Sequence, residues 1–314
     1  MGRNISWPIL DRGTRLWWRT VGRRIDLDAE HAWLAAPVSA RGAVGDRWLP
    51  AEAERIGGGL IRDGESENGG SENGGSENGG SENGLLPSLD ALAGPGFDPT
   101  AVHPAIRGFY EHTSSWRMDA WTKWSRGFAG PGALIESMYG KRLQQLALPV
   151  DSLAVAHGVD SEIVAIVGPD GTHAGSAWLR TLRRTGDFMF SGYYRVGRLP
   201  GHEQPSVHVS FPLEQGNVQV YLRPTNGPDG SMTLSSPPGD FGDDGAYVTV
   251  IDGGRTYAAR VPVHEEFHLY VDDEGVARTD HVLKMWGATA VRLHYRLVPA
   301  DADRPRTPRT LIAD

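Results

Sequence analysis

One segment of the chain carries the residue types and spacing of a hydrolytic zinc site. His264, Glu265 and His268 fit the pattern His-Glu-x-x-His. On a helix, the two histidines of this pattern bind one metal ion and the glutamate activates water. The flanking residues, Val261-Pro262-Val263 and Leu269-Tyr270-Val271, instead favour a strand. In a strand the two histidines lie about 13 Å apart, so we interpret the pattern as a chance match and predict no metal site.

The strand interpretation suggests a different site on the same segment. A four-residue loop over Asp272–Gly275 places Glu266 opposite His281, because facing residues of a hairpin are close neighbours. The next hairpin then sets His294 beside His281. A row of Glu266, His281 and His294 could perform general acid–base catalysis or supply two histidines and a carboxylate to a metal. The alternative is a solvated strand face, since a slip of one residue separates the three.

Other residues are predicted to contact a ligand because they are aromatic or polar and lie near that row, on a neighbouring helix or at the rim of the sheet. They are Phe109, Trp116, Trp124, Tyr193, His268, Tyr270 and Arg292. Core packing is the alternative for the aromatic members. A further group, Arg180, Arg183 and Arg184 beside Trp178, could hold an anion, with a charged outer strand face as the alternative.

Apolar and polar residues alternate from Ser161 onward, which predicts strands joined by tight turns. The predicted strands are Glu162–Val167, His173–Arg184, Phe188–Arg198, Ser206–Leu213, Asn217–Arg223, Ser231–Ser235, Ala246–Asp252, Thr256–Val261, Val263–Val271, Val276–Trp286 and Thr289–Val298. A sheet of this length must curl or close to protect its edges. We therefore predict an α+β fold: a helix pair followed by a large antiparallel meander sheet, curved or closed into a barrel.

The predicted helix pair covers residues 104–147 and precedes the strands. Its aromatic face follows helical spacing through Phe109, Thr113, Trp116, Ala120 and Trp124. The second helix runs from Pro131 to about Leu146, because proline is favoured in a first helical turn. A shorter helix is predicted from Pro50 to Ile56, before three consecutive glycines.

A repeat of Gly-Ser-Glu-Asn-Gly units divides the chain. It covers residues 64–84, contains no apolar residue and carries five of the net eight negative charges. Such a segment cannot offset the entropy of ordering itself, so we predict a disordered linker, natural or engineered. The predicted organisation is a Trp- and Arg-rich N-terminal segment (1–63), this linker (64–84), a helix-pair and β-barrel-like domain (85–300) and a flexible tail (301–314).

Composition excludes several classes of protein. The chain has no cysteine, which removes disulfide scaffolds and thiolate metal sites. Outside the repeat the charge is nearly balanced, which argues against a nucleic-acid partner. No apolar run reaches the length of a membrane span and no secretory signal is visible. Arginine greatly outnumbers lysine, as in GC-rich bacterial genes, so we predict a cytoplasmic bacterial protein. We predict no cofactor.

Three short segments carry a resemblance to a known group of proteins. They are Phe109-Tyr110-Glu111-His112-Thr113, Arg142-Leu143-Gln144-Gln145-Leu146 and Arg278-Thr279-Asp280-His281. From about Val44 to Leu297 the chain resembles a family of uncharacterised actinobacterial proteins, which implies no activity. Its predicted architecture is similar in outline to lipocalin-like and START-like ligand carriers, an analogy of fold alone.

Three hypotheses for function follow. The first is a binding protein for a hydrophobic small molecule or lipid, held in a cavity between sheet and helices. The second is an isomerase, cyclase or hydrolase that uses Glu266, His281 and His294. The third is a scaffold protein that docks a protein partner through residues 1–63.

Overall fold

Antiparallel strands make up most of the fold, as the alternating pattern predicts. The computed structural model describes residues 17–39, 45–63, 83–125 and 158–300. The strands of these ranges are β1 (Arg23–Ile25), β2 (Gly59–Arg62), β3 (Trp116–Trp124), β4 (Val159–Val167), β5 (His173–Leu182), β6 (Phe188–Gly197), β7 (Ser206–Leu213), β8 (Gly216–Asn226), β9 (Met232–Ser235), β10 (Ala246–Asp252), β11 (Arg255–Val261), β12 (Val263–Val271), β13 (Ala277–Met285) and β14 (Ala288–Pro299). The predicted strands from β4 to β14 are thus confirmed, with ends that differ by a few residues.

Strand β8 branches the sheet into two parts. Its first half, from Gly216, pairs with β10, and its second half, up to Asn226, pairs with β9. The first sheet has the order β2-β4-β5-β6-β7-β8-β10-β11-β1, and the second has the order β8-β9-β12-β13-β14-β3. No ladder joins β2 to β3 among the described residues, so the predicted closure into a hydrogen-bonded barrel is not found.

Helices are few and short in the described residues. Residues 17–21 are helical (α1), and α2 (Leu49–Ile56) matches the predicted helix at Pro50–Ile56. It ends at Gly57, whose φ of 69° lies in the left-handed region that glycine adopts without strain. Helix α3 (Pro104–Glu111) begins where the first helix of the predicted pair begins. The predicted second helix, from Pro131 to Leu146, lies outside the described residues.

The helical prediction for residues 116–124 is wrong, because this segment forms strand β3. Trp116, Ala120 and Trp124 are spaced by four, and four residues return a side chain to the same face of a strand as well as of a helix. Met118 and Thr122 fill the intervening positions of that face. Pairing with β14 along the whole of β3 decides the outcome, since tertiary context overrides a local periodicity.

Residues of the N-terminal segment belong to the same folded unit as the main sheet. Strand β1 pairs with β11, and β2 pairs with β4. Trp48 is buried, and its indole N–H donates to Ser191 Oγ at 2.9 Å. Residues 64–82 of the predicted linker (64–84) and the predicted tail at 301–314 lie outside the described residues. Asn83, at the end of the repeat, is buried and donates from its backbone N–H to Asp63 Oδ1.

The main hydrophobic core lies between the inner faces of the two sheets. It takes side chains from strands on both sides of the branch, such as Val209 and Leu269. Ile106 and Phe109 of α3 pack into the same core, together with the leucines of residues 85–92. We refer to these facing surfaces as the inner face. None of the helices in the described ranges has the length and apolar character that crossing a bilayer requires.

Candidate functional site

The register of the last three strands differs by one residue from the prediction. The β12–β13 loop contains five residues rather than four, so Phe267 lies opposite His281, and Glu266 lies opposite Val282. A bulge between Leu283 and Lys284 also shifts the β13–β14 register. Because side chains alternate along a strand, each shift of one residue exchanges the two faces.

The predicted row of Glu266, His281 and His294 is therefore not formed. His281 lies opposite Leu293 and is buried on the inner face. Glu266 and His294 lie on the opposite surface, where His294 Nδ1 is 2.7 Å from Asp280 Oδ1. We refer to this second surface of β12, β13, β14 and β3 as the outer face.

Three predicted ligand contacts also lie on the outer face. His268 and Tyr270 stack on each other with ring centroids 5.0 Å apart, and Arg292 is exposed in the neighbouring strand. Trp121 of β3 is exposed there as well, 54% of its surface being accessible.

The His-Glu-x-x-His segment is a strand, as its flanks predicted. His264 and His268 belong to β12, so the helical arrangement that would bring both rings to one ion is absent. No group of three potential metal ligands occurs in the described parts of the chain. Glu265 of this segment nevertheless has a distinctive position, because it lies on the inner face beside His281.

Arg180 is the central charge of the inner face. It is only 4% exposed, which contradicts the alternative of a charged outer strand face at this position. Its guanidinium lies 5.6 Å from the ring centroid of Trp178, and Nη2 donates to the Met118 carbonyl at a long 3.4 Å. Its Nε has no hydrogen-bond partner among the described residues. Arg183, by contrast, pairs with Asp160 on the surface.

Such an arginine is costly to bury. An ion moved out of water loses its hydration, and only a partner with good geometry offsets that loss. Burial lowers the pKa of Arg180, while Tyr295, Tyr194 and Asp119 raise it through their charges. No carboxylate of the described residues forms an ion pair with this guanidinium, although Asp119 raises its pKa through its charge.

His281 lies between an acid and a hydroxyl on the same face. Its Nε2 is 3.6 Å from Glu265 Oε1, and its Nδ1 is 3.4 Å from Tyr295 Oη. The ring stacks on Phe267 with centroids 3.7 Å apart. Both polar contacts are longer than good hydrogen bonds, and Nε2 has no hydrogen-bond partner among the described residues. Nε2 of the imidazole therefore retains hydrogen-bonding capacity.

Two further inner-face atoms share this property. Thr122 Oγ1 and Trp124 Nε1, both on β3, are buried without a hydrogen-bond partner in the described residues. Most buried polar atoms of native proteins are paired. A concentration of four unpaired atoms on one face, from Arg180, His281, Thr122 and Trp124, is typical of a surface whose partner is a ligand or ordered water.

Aromatic rings of the first sheet form the opposite wall. Trp178 contacts Phe190 at 5.4 Å, Tyr194 at 5.9 Å and Phe109 at 6.2 Å between centroids. Burial raises the pKa of Tyr194 well above its ordinary value, and Tyr110, Tyr295 and Glu265 add to the rise. Burial also raises the pKa of Tyr295. Both phenols are therefore neutral donors at physiological pH.

Several inner-face side chains keep accessible surface although the main core lies on this face. They include Trp116, Met118, Trp124, Tyr194, Phe267, Leu283 and Tyr295, all of them intermediate in burial. Partly accessible apolar side chains beside a few polar groups are also a feature of ligand sites.

The predicted ligand contacts thus divide between the two faces. Phe109, Trp116 and Trp124 lie on the inner face, whereas His268, Tyr270 and Arg292 do not. Tyr193 points away from Tyr194, packs on Trp48 at 6.0 Å and donates to the Ala174 carbonyl. The sequence did not predict Glu265, Tyr295 and Thr122 as site residues. The alternation of inward and outward positions could be read from the sequence, but the register of the last strands decides which set faces inward.

A surface cleft near Trp33 offers a contrast. It is open and is lined by Ala32, Trp33, Ala91, Tyr221 and 195–198. Its arginine, Arg195, donates to His208 and to the carbonyls of Trp33 and Ala35. His208 is fully buried, is 2.7 Å from Gln219 Oε1 and stacks on Tyr221. Because these polar groups are satisfied within the protein, we interpret the network as structural.

Comparison with known proteins adds no further constraint. Searches against protein-family models, curated proteins and solved structures found no match to this chain. The resemblance to an actinobacterial family therefore stays a prediction.

Proposed function

We propose that this protein binds a hydrophobic small molecule against the inner face of its branched sheet. The observation that carries the proposal is the set of buried, unpaired polar atoms from Arg180, His281, Thr122 and Trp124 on a wall of partly accessible aromatic side chains. The apolar wall supplies the driving force of binding, at roughly 25 cal/mol per Å² of apolar surface removed from water. The few polar atoms supply orientation.

The proposal needs a concave site rather than a core that merely packs. Helix α3 seals one part of the inner face, where Ile106, Leu269 and Leu297 are fully buried. Around Tyr194, Phe267 and Tyr295 the side chains remain partly accessible. The binding surface therefore lies beyond α3, between β5 and β6 on one side and β12 to β14 with β3 on the other.

A neutral probe tests this function without assuming the head group. N-phenyl-1-naphthylamine, whose fluorescence rises in apolar surroundings, is titrated into the protein and into two phenylalanine variants of β3. Thr122→Phe fills the inner face, and we expect it to weaken binding by about tenfold or more. Lys123→Phe, on the outer face, is the matched control and retains wild-type affinity.

Two outcomes oppose the proposal. One is a probe that fails to saturate at a discrete stoichiometry. The other is equal binding by both variants, which would place the probe elsewhere on the surface. Native mass spectrometry of freshly purified protein gives an independent test, because a resident compound appears as a discrete added mass that denaturation removes.

A second candidate function rests on the imidazole of His281. Its position between Glu265 and Tyr295 suits a general base that takes a proton from a bound substrate, with the carboxylate stabilising the charged ring. The test is chemical conversion. A compound released from the protein is incubated with fresh wild type and with His281→Asn, and a product formed by wild type alone supports an enzyme.

A further inference from the structure

The charge arrangement of the inner face specifies the chemical class of the ligand. The relevant groups are the guanidinium of Arg180, the phenols of Tyr194 and Tyr295, and the imidazole of His281. All of them can donate hydrogen bonds, and the arginine is charged. The inference rests on the proposed function and adds the head group that such a site would select.

We propose that the ligand is an amphiphilic carboxylic acid whose carboxylate binds Arg180 between β5 and β14. A guanidinium presents its N–H donors in a fork that matches the two oxygens of a carboxylate. Among the described residues Arg180 donates one hydrogen bond, the long contact from Nη2 to Met118, and its Nε is unpaired there. A bound carboxylate would supply the ion-pair partner that this buried charge lacks among the described residues.

The two tyrosines support the same placement. The ring of Tyr194 lies 5.9 Å from that of Trp178, which Arg180 also contacts, and both Tyr194 and Tyr295 raise the pKa of Arg180. A neutral phenol donates its O–H, and donation to a charged oxygen is stronger than donation to a neutral one. The three side chains together would hold an anion through charge-assisted hydrogen bonds.

Glu265 is a carboxylate near this site, because it raises the pKa of both Tyr194 and Tyr295. His281 lies between Glu265 and Tyr295. Its Nε2 is 3.6 Å from Glu265 Oε1, and its Nδ1 is 3.4 Å from Tyr295 Oη. Among the described residues Glu265 forms no ion pair with Arg180, and its contact is with His281. It nevertheless provides a clear competing hypothesis, since an amine head group would be attracted to Glu265 and repelled by Arg180.

The apolar body of the ligand would lie along the aromatic wall. Trp178 connects the two parts, because its ring contacts Arg180, Phe190 and Tyr194. Phe267 and Leu283 continue the accessible apolar surface on the second sheet. Alkyl and aryl bodies both suit this surface, and the experiment therefore uses one of each.

The experiment compares head groups on a constant body by isothermal titration calorimetry. Decanoate, 1-decanol and decylamine form one series, and 2-naphthoate with 2-naphthalenemethanol forms the other. Wild type is expected to bind the acid about 10- to 100-fold more tightly than the alcohol, the range expected for hydrogen bonds to charged groups. Arg180→Met should abolish that preference and leave alcohol affinity within about threefold.

Arg183→Met is the matched control, because it removes an arginine of the same region that pairs with Asp160 on the surface. It should retain the wild-type preference. Equal affinity for acid and alcohol would overturn the head-group inference while leaving the proposed function intact. Tightest binding of decylamine would also overturn it, in favour of Glu265. Failure of every compound and of the neutral probe would instead contradict the proposed function itself.

Discussion

Arg180 differs from the other arginines of its segment because it is buried. Three arginines beside Trp178 admitted both an anion site and a solvated strand face. Burial separates Arg180 from Arg183, and a buried charge without a carboxylate partner is destabilising. Retaining such a residue at a cost in stability is what the proposed recognition of an anionic ligand would require.

The first prediction at this scale concerns the ligand-free protein. Arg180→Met removes the buried charge and keeps a side chain of similar length, so we expect the free energy of unfolding to rise by about 1–4 kcal/mol. Urea denaturation of protein refolded free of bound compounds measures the change. A loss of stability would show that the guanidinium has a partner within the protein.

The second residue-scale prediction concerns His208 and pH. Burial, together with the charge of Arg195, holds the pKa of this histidine well below its ordinary value of 6.5. The histidine of the unfolded chain therefore binds a proton near pH 6.5, whereas that of the folded chain binds one only at a much lower pH. Its contribution to stability is present above pH 6.5 and is lost as the pH falls below that value, by about 1.4 kcal/mol per pH unit.

His208→Gln is the variant that tests this dependence. Unfolding free energies of the wild type and the variant are compared at several pH values between 5 and 8. The variant should show a shallower decrease toward acid, even if the loss of the Arg195 contact lowers its stability at every pH. Parallel curves would contradict the prediction.

At the scale of elements, the sequence predicted the strands well and their register poorly. Alternation over nine to twelve residues is a strong signal for β12 and β14. Register depended on one residue in the loop after Val271 and on a bulge at Leu283. Neither has a local hydrophobic signature, so Glu265 exchanged places with Glu266 as the neighbour of His281.

The misassigned helix has a related cause. Trp116, Ala120 and Trp124 are spaced by four, and this spacing keeps residues on one face of either a helix or a strand. The polar residues Arg117, Asp119 and Lys123 between them were the available sign of a strand. The inner-face role of Trp116 and Trp124 survives this correction, because positions that share a face of the predicted helix also share a face of β3.

The β13–β14 turn gives a prediction at this scale. Trp286 has a φ of 50° and is 74% exposed, and it precedes Gly287, whose φ is 81°. A two-residue turn with both φ values positive favours Asn-Gly. Trp286→Asn should stabilise the protein by about 1 kcal/mol relative to Trp286→Ala, because alanine tolerates this conformation less well. Thermal unfolding of the pair measures the difference, and equal melting temperatures would contradict it.

At the scale of the whole molecule, the branch at β8 brings together residues far apart in sequence. The inner face combines β3 and β5 with strands more than 80 residues further along the chain. No local sequence pattern predicts that these strands face each other, because the arrangement depends on which half of β8 pairs with β9 and which with β10. The α+β class and the antiparallel sheet could be predicted, whereas the two facing sheets could not.

Residues of the N-terminal segment are also part of the folded unit formed by the sheet. Trp48 is 1% exposed and packs on Tyr193, whereas Trp17 is 61% exposed. Trp48→Ala should lower the free energy of unfolding by about 3–5 kcal/mol, and Trp17→Ala should change it by less than about 0.5 kcal/mol. Chemical denaturation followed by circular dichroism tests the pair. A neutral Trp48 variant would instead favour the hypothesis of a separate docking segment.

The most direct test of the account uses two tryptophans of one strand. Trp124 lies on the inner face with its indole N–H unpaired among the described residues, and Trp121 is exposed on the outer face. Decanoate is titrated into protein with ¹⁵N-labelled tryptophan, the signals being assigned by single Trp→Phe variants. Binding on the inner face predicts that the indole signal of Trp124 shifts in a saturable manner while that of Trp121 stays in place. A shift of Trp121 alone, or no shift of either signal, would contradict the account.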